Sequence, residues 1–184
     1  VFFLEDGLGE FAAELLIKRF GLSATVRTQL AEYEALVRRD ARVAPDHVEA
    51  LLRLVGRRPD AELVFADAGR RVARRGARRL FFGARLAAAA APRSLGFAVA
   101  GHAAGVVLGG ELRREARITV AQVRDTLAIR ATPDGAACEL YAAGFAELLR
   151  LLSGFEGAML HTACRGRGAD RCEWRAAPFD PRHH

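Results

Sequence analysis

Three cysteines and a histidine in the last third of the chain limit how that part can fold. Cys138 precedes an amphipathic segment, Cys164 and Cys172 flank a loop rich in glycine and arginine, and His161 lies three residues before Cys164. Three thiolates and one imidazole are a common ligand set for a closed tetrahedral zinc site, and closed sites are structural rather than catalytic. A structural zinc site is therefore one interpretation of this pattern. A Cys164–Cys172 disulfide and three inert buried thiols are the alternatives.

The segment that begins near Cys138 is predicted to be a helix. Residues 136–152 carry apolar side chains at helical spacing, and Gly154 marks the end of the pattern. Cys138 would then lie in the first turn, where the helix dipole lowers the pKa of a thiol and favours the thiolate. The start of this helix is expected to supply one ligand.

Cys164 and Cys172 are predicted to lie at the facing ends of two paired strands. Strand, loop and strand of this antiparallel hairpin are expected at residues 157–163, 165–170 and 171–176. His161 and Cys164 would face opposite sides of a regular strand. Both can therefore bind one metal only if the strand bends or ends near residues 162–163.

The composition favours a globular chain in a reducing compartment. Of the 184 residues, 51% are hydrophobic, which is too many for a disordered chain. The longest nearly uncharged stretch, residues 95–110, is shorter than the ~20 residues that cross a bilayer, so no membrane span is predicted. Residues 1–6 lack the features of an export signal, and the cysteine count is odd. A cytoplasmic location is expected, where clustered cysteines more often bind metal than form disulfides.

The periodicity of the remaining sequence predicts an α+β fold in which an antiparallel sheet packs with helices. Helices are expected at residues 9–19, 25–39, 45–56 and 59–86, and further strands at 117–120 and 126–131. We divide the chain into a helical N-terminal extension, one domain and a frayed tail, at residues 1–58, 59–177 and 178–184.

The fourth predicted helix carries a ridge of arginines in two columns at i,i+4 spacing. We call it the arginine ridge, and its members are Arg70, Arg71, Arg74, Arg75, Arg78 and Arg79. Such a ridge can dock an acidic partner or an anionic ligand. The alternative is that the ridge is an ordinary solvated face of an arginine-rich chain. Lys18 is the one lysine of the sequence, so the excess of arginine, and with it the net charge of +6, reflects a coding bias. No aromatic residue is interleaved with the ridge, so nucleic acid is not an expected partner.

Residues 164–174 resemble the C-terminal signature of the 4-vinyl reductase domain family. That signature has a cysteine, a glycine four residues after it, a second cysteine eight residues after the first, and an aromatic residue two positions after the second cysteine. Gly168 occupies the glycine position and Trp174 the aromatic position. A proline-containing turn at residues 132–133 and a Tyr-x-x-Gly helix start at 141–144 also resemble this family. The resemblance covers roughly residues 59–177 and is strongest at the C-terminal end.

The resemblance implies a zinc site and an apolar pocket. In the aromatic-sensing members, a zinc is held by three cysteines and a glutamate, and here His161 takes the place of the glutamate. The fold implied is related to subunits of the vesicle-tethering TRAPP complex and to haem-based NO sensors, with a pocket between helices and sheet, and dimers are usual. We expect Phe97, His102, Phe145 and Trp174 to contact a ligand, although Trp174 could equally be core and a lone His102 is more often a satisfied core residue.

The expected function is binding or sensing of an aromatic or tetrapyrrole-like hydrophobe by a domain with a structural zinc. One alternative is an enzyme, or an accessory or carrier protein, in (bacterio)chlorophyll biosynthesis that acts on a vinyl-tetrapyrrole. A second alternative is a protein-interaction scaffold like the tethering subunits. The sequence contains no phosphate-binding loop and no spaced nucleophile–base pair, which disfavours an autonomous enzyme.

Overall fold

The computed structural model describes residues 44–80, 93–116 and 118–178, and the single residues 28, 31, 32 and 35. These residues form an α+β fold, as predicted. The helices are α1 Pro45–Gly56, α2 Ala61–Leu80, α3 Arg93–Ala103, α4 Leu127–Ala131 and α5 Cys138–Ser153. The strands are β1 Glu111–Glu115, β2 Ile118–Val123, β3 Gly157–Ala163 and β4 Cys172–Pro178. The helices predicted at 9–19 and 25–39, the end of the fourth helix and the tail beyond Pro178 lie outside the described residues.

The four strands form one antiparallel sheet in the order β1-β2-β4-β3. Trp174 of β4 lies near its centre, between Ala121 of β2 and His161 of β3. The β3–β4 pairing shifts register between His161 and Ala163. The bend predicted for residues 162–163 is therefore present, and β3 ends at Ala163.

Helix α5 is the central element of the core, because it packs against α2, α3 and the sheet. Its side chains Tyr141, Phe145 and Leu148 are fully buried. Gly154 ends the helix in the left-handed conformation at φ 67°, which a side chain rarely adopts. The prediction for this helix is thus confirmed to within two residues at its start.

Helix α2 approaches α5 closely because small residues face the contact. A Cβ atom on Gly69 would lie 2.0 Å from the carbonyl oxygen of Leu140, and one on Gly144 would lie 3.1 Å from Leu108. Ala68 and Ala73 of α2 are also fully buried. The helix pair therefore depends on the absence of side chains at its crossing.

One strand prediction is wrong, and one strand of the sheet was not predicted. Residues 126–131 form no strand: Thr126 caps the short helix α4, and its hydroxyl accepts a hydrogen bond from the Ile129 N–H at 3.4 Å. The alternation of Leu127 and Ile129 fits a strand and one side of a helical turn equally, and packing against α1 selects the helix. Strand β1 was not predicted, because four of its five residues are charged.

The remaining elements agree with the sequence. Helix α1 starts at Pro45 and buries Val48, Leu52 and Val55. The apolar segment 95–108 forms α3, which continues as a π-helical turn over Ala104–Leu108. Nowhere in the described ranges does a helix combine the length and apolar character that a bilayer crossing needs.

Candidate metal centre

The first ligand candidate, Cys138, is the first residue of α5 and is 1% exposed. A tight turn over residues 132–137 positions it. The Thr132 hydroxyl accepts a hydrogen bond from the Ala137 N–H at 3.1 Å and donates one to the Ala128 carbonyl at 2.9 Å. Helix α4 and the start of α5 are thereby held to each other, and the Cys138 thiol is fixed in the core.

The other candidates come from the open end of the β3–β4 hairpin. His161 lies in β3 on the same side as Trp174, and Cys164 follows the last residue of β3. Cys172 is the first residue of β4 and is fully buried. The register shift after His161 turns Cys164 toward the side on which His161 lies, which a regular strand could not do.

The four side chains converge. Their ligand atoms all lie within 4.8 Å of one another. The Cys138 sulfur is 3.9 Å from that of Cys164 and 3.8 Å from that of Cys172. A tetrahedral site with Zn–S bonds of about 2.3 Å spaces its sulfurs about 3.8 Å apart. The three cysteines are free thiols, so the disulfide alternative is not the state described by the structure.

His161 supports a metal-binding role for the cluster. Its Nε2 is buried and has no hydrogen-bond partner among the residues described. The ring stacks on Trp174 at a centroid distance of 5.1 Å and an angle of 19°. A buried nitrogen without a partner is costly, whereas coordination of a cation would use this otherwise unpaired Nε2.

The electrostatics of the metal-free cluster favour a thiolate at Cys172. The Cys138 thiol, His161 and the Arg165 N–H, which donates to the sulfur at 3.3 Å, together lower the pKa of Cys172 against the opposing effect of burial. The hydrogen bond to Cys172 and then burial raise the pKa of Cys138. The predicted lowering by the helix dipole is therefore outweighed at Cys138. Of the two cysteines, Cys172 is therefore the one at which the contacts favour the thiolate that a metal requires.

Two backbone segments close the site. Gly135, at φ 91°, lies over the cysteines, and a Cβ there would be 3.4 Å from the Cys164 sulfur. Gly166 of the hairpin loop packs so tightly on Pro133 that a Cβ would lie 2.3 Å from the Pro133 carbonyl oxygen. The cluster is therefore enclosed, with no cysteine more than 6% exposed.

The four residues predicted to contact a ligand do not line a common pocket. Phe145 and Trp174 are fully buried and contact each other at a centroid distance of 5.6 Å, as core residues do. Phe97 lies under the guanidinium of Arg114, whose Cζ is 4.5 Å from the ring centre. His102 is exposed, so it is not the satisfied core histidine considered from the sequence.

The arginine ridge is partly structural. Arg70, Arg71, Arg74 and Arg78 are exposed and Arg75 is half-buried, while the side chain of Arg79 lies outside the described set. Arg74 donates from Nε to Glu147 of α5 at 2.7 Å, and Arg71 pairs with Asp67 at 3.2 Å.

Sequence reasoning did not single out Glu147, which is 6% exposed. Hydrogen bonds from Arg150 and Arg74 lower its pKa to about 2, against the opposing effect of burial. The signal was present in the sequence, because a carboxylate stands between the apolar Phe145 and Leu148 of a buried helix.

Comparison of the chain with protein-family models, curated proteins and solved structures finds no match in any of the three. The resemblance of residues 164–174 to the 4-vinyl reductase domain family therefore stays a prediction, as do the dimer and the pocket that it implies.

Proposed function

We propose that this chain is a zinc-binding domain in which Cys138, His161, Cys164 and Cys172 hold one structural Zn²⁺. The observation that carries the proposal is the convergence of these four ligand groups within 4.8 Å, with sulfurs spaced as in a tetrahedral thiolate site. The ligands come from three separate places in the chain: the start of α5 and the two facing ends of the β3–β4 hairpin.

The donor set selects the metal. Three thiolates and an imidazole are soft and borderline ligands, which suit zinc and disfavour Mg²⁺ or Ca²⁺. Because all four protein groups are used and the cysteines are buried, the site has no open position for a substrate. Its role is to hold α5 and the hairpin together, since metal binding adds directly to folding free energy.

The test is metal content. Protein purified without added metal is expected to contain one zinc per chain by elemental analysis. His161→Asn and the double variant Cys164→Ser plus Cys172→Ser should lose it, while His102→Asn, a change at an exposed histidine, should retain it. Absence of zinc from the wild type, or full retention in the double variant, would contradict the proposal.

Hydrophobe binding is a second proposal, and one observation favours it. A groove of about 280 Å³ lies between α2, α5 and the start of β3, close to the lower size limit of ligand sites. Ala142, Ala146, Phe155 and Met159 supply the apolar part of its lining, and five charged residues supply a larger polar part. This groove contains none of the four residues predicted from the sequence to contact a ligand.

Release of a bound molecule tests this second proposal. Denatured protein would be analysed by absorbance and mass spectrometry, with Ala146→Phe as a variant that fills the groove. A tetrapyrrole lost in Ala146→Phe would favour the pigment-pathway alternative, and an aromatic compound would favour a sensory module. Recovery of no ligand from either protein would contradict hydrophobe binding and favour the interaction scaffold.

A further inference from the structure

Helix α2 has one side in the core and one side covered with arginine. Its buried residues include Phe65, Val72 and Ala77, whereas Arg71 and Arg78 are exposed. The core side explains why the helix forms, because its apolar residues recur at helical spacing. Apart from Arg74, which pairs with the buried Glu147, it does not explain the arginines, which repel one another at i,i+4 spacing.

The arginines line an open hollow along the exposed side of α2. It has a volume of about 590 Å³ and is lined by Asp67, Arg71, Arg74, Arg75 and Arg78. Four of the described residues that line it are arginines and one is an aspartate, so positive charge predominates among them. None of the described residues that line the hollow is aromatic, so none of them offers a surface on which a nucleobase could stack.

Contacts within the protein hold part of this wall in place. Glu147 fixes Arg74 from the side of α5, at 2.7 Å, and Asp67 fixes Arg71 at 3.2 Å. Glu147 does not neutralise Arg74 fully, because it also accepts a bond from Arg150 at 2.8 Å. No ion pair joins Arg78 to a residue in the described ranges. The hollow therefore combines positioned guanidiniums with an uncompensated positive charge.

We infer that this hollow binds a small polyanion with adjacent phosphate groups, such as a diphosphate moiety. A guanidinium donates two parallel hydrogen bonds to a phosphate, and adjacent phosphates can accept from arginines one helical turn apart. The volume suits a small molecule, and the charge is complementary. This inference is independent of the zinc site, since no zinc ligand lines the hollow.

Calorimetric titration of the full zinc-loaded chain with inorganic pyrophosphate tests the inference. The variant is Arg71→Gln plus Arg78→Gln, which leaves the Arg74–Glu147 contact intact. The control is Arg53→Gln plus Arg57→Gln, which removes the same charge from exposed positions of α1 and its end. Zinc content and thermal unfolding verify that each variant is folded.

The wild type is expected to bind pyrophosphate saturably. The affinity should fall ~10-fold or more in the hollow variant, because charge-assisted hydrogen bonds to the phosphates are lost, and should change less than ~3-fold in the control. Arg78→Lys keeps the positive charge but loses the pair of parallel N–H donors of the guanidinium. Its affinity for pyrophosphate should lie between those of the hollow variant and the control. Equal weakening in both double variants would refute the hollow as a site. Equal affinity for citrate would refute phosphate selectivity, and affinity that rises with the length of a DNA duplex would identify a nucleic-acid surface instead.

Discussion

Replacement of Gly69 by alanine should destabilise the protein by overpacking the α2–α5 crossing. The new Cβ would lie 2.0 Å from the Leu140 carbonyl oxygen and 3.1 Å from the Gly144 nitrogen, and ordinary contact begins at 3.4 Å. Both obstacles are backbone atoms of a helix, so the two helices must separate by more than ~1 Å to relieve the overlap. Overpacking costs about 1–3 kcal/mol and sometimes more, and the better helix propensity of alanine returns up to about 1. We expect a net loss of about 2 kcal/mol.

Gly101→Ala is the matched control, because it makes the same chemical change inside another helix. A Cβ at Gly101 meets no atom within 4 Å, so only the helix propensity acts and stability should rise by about 0.5–1 kcal/mol. Urea denaturation followed by circular dichroism, at constant zinc, measures both. The two substitutions should change the unfolding midpoint in opposite directions. A gain in stability from Gly69→Ala, or equal effects from both changes, would refute this account of the helix crossing.

Three further predictions concern single side chains. Glu147→Gln should lower the free energy of unfolding by about 2 kcal/mol at neutral pH. The shift of the Glu147 pKa from 4.5 to about 2 corresponds to ~3 kcal/mol. Solvent screening reduces this value, because the two arginine partners are about half exposed. Since folding lowers this pKa, the contribution is present above pH ~4.5 and vanishes as the pH falls toward 2, so the difference between wild type and variant in denaturation midpoints should shrink on acidification; a constant difference would contradict the assignment. Gly166→Ala should displace the hairpin loop from Pro133 and weaken zinc retention against a competing chelator. Gly168→Ala is the control, because no atom lies near its Cβ and the substitution should strain only the loop. Equal zinc retention in both variants would contradict the role of Gly166. Thr126→Val should lower the free energy of unfolding, measured by thermal or chemical denaturation, by about 1–3 kcal/mol, because it removes the cap of α4 and the hydrogen-bond acceptor of the Tyr141 hydroxyl. Thr126→Ser should restore most of this loss. A valine variant as stable as the wild type would contradict both contacts.

The fold was predictable where local pattern and packing agree. Helix α5 combines apolar side chains at helical spacing with Gly154 as a stop, and the β3–β4 hairpin alternates around a glycine-rich loop. The sequence misled where local signals were short or polar. The five residues of α4 satisfy both periodicities, and β1 is recognisable only through its pairing with β2, which is a long-range property.

The metal centre was predictable in its membership but not in its electrostatics. Residue types and spacing pointed to the four side chains that converge and could hold a metal, and the geometric conflict between His161 and Cys164 located the bend in β3. Which cysteine carries the charge depends on contacts across the fold. The helix dipole acts on Cys138, but the hydrogen bonds that stabilise a thiolate converge on Cys172. The arrangement of side chains around Glu147 was equally a product of tertiary contacts.

The cluster lies at the start of α5, which has no side-chain cap. Most helices begin with a serine, threonine, aspartate or asparagine that bonds to the first free N–H groups, but Ala137 occupies this position and provides no side-chain cap. Cys138 and its neighbouring thiols bring negative charge to the helix N-terminus once metal binding deprotonates them. The first N–H groups of the helix bond instead to the carbonyls of residues 135–137, and the proposed zinc would join this turn to the hairpin. On this argument, metal removal should fray the first turn of α5 before it affects the α2–α5 crossing, which glycine and alanine hold together independently.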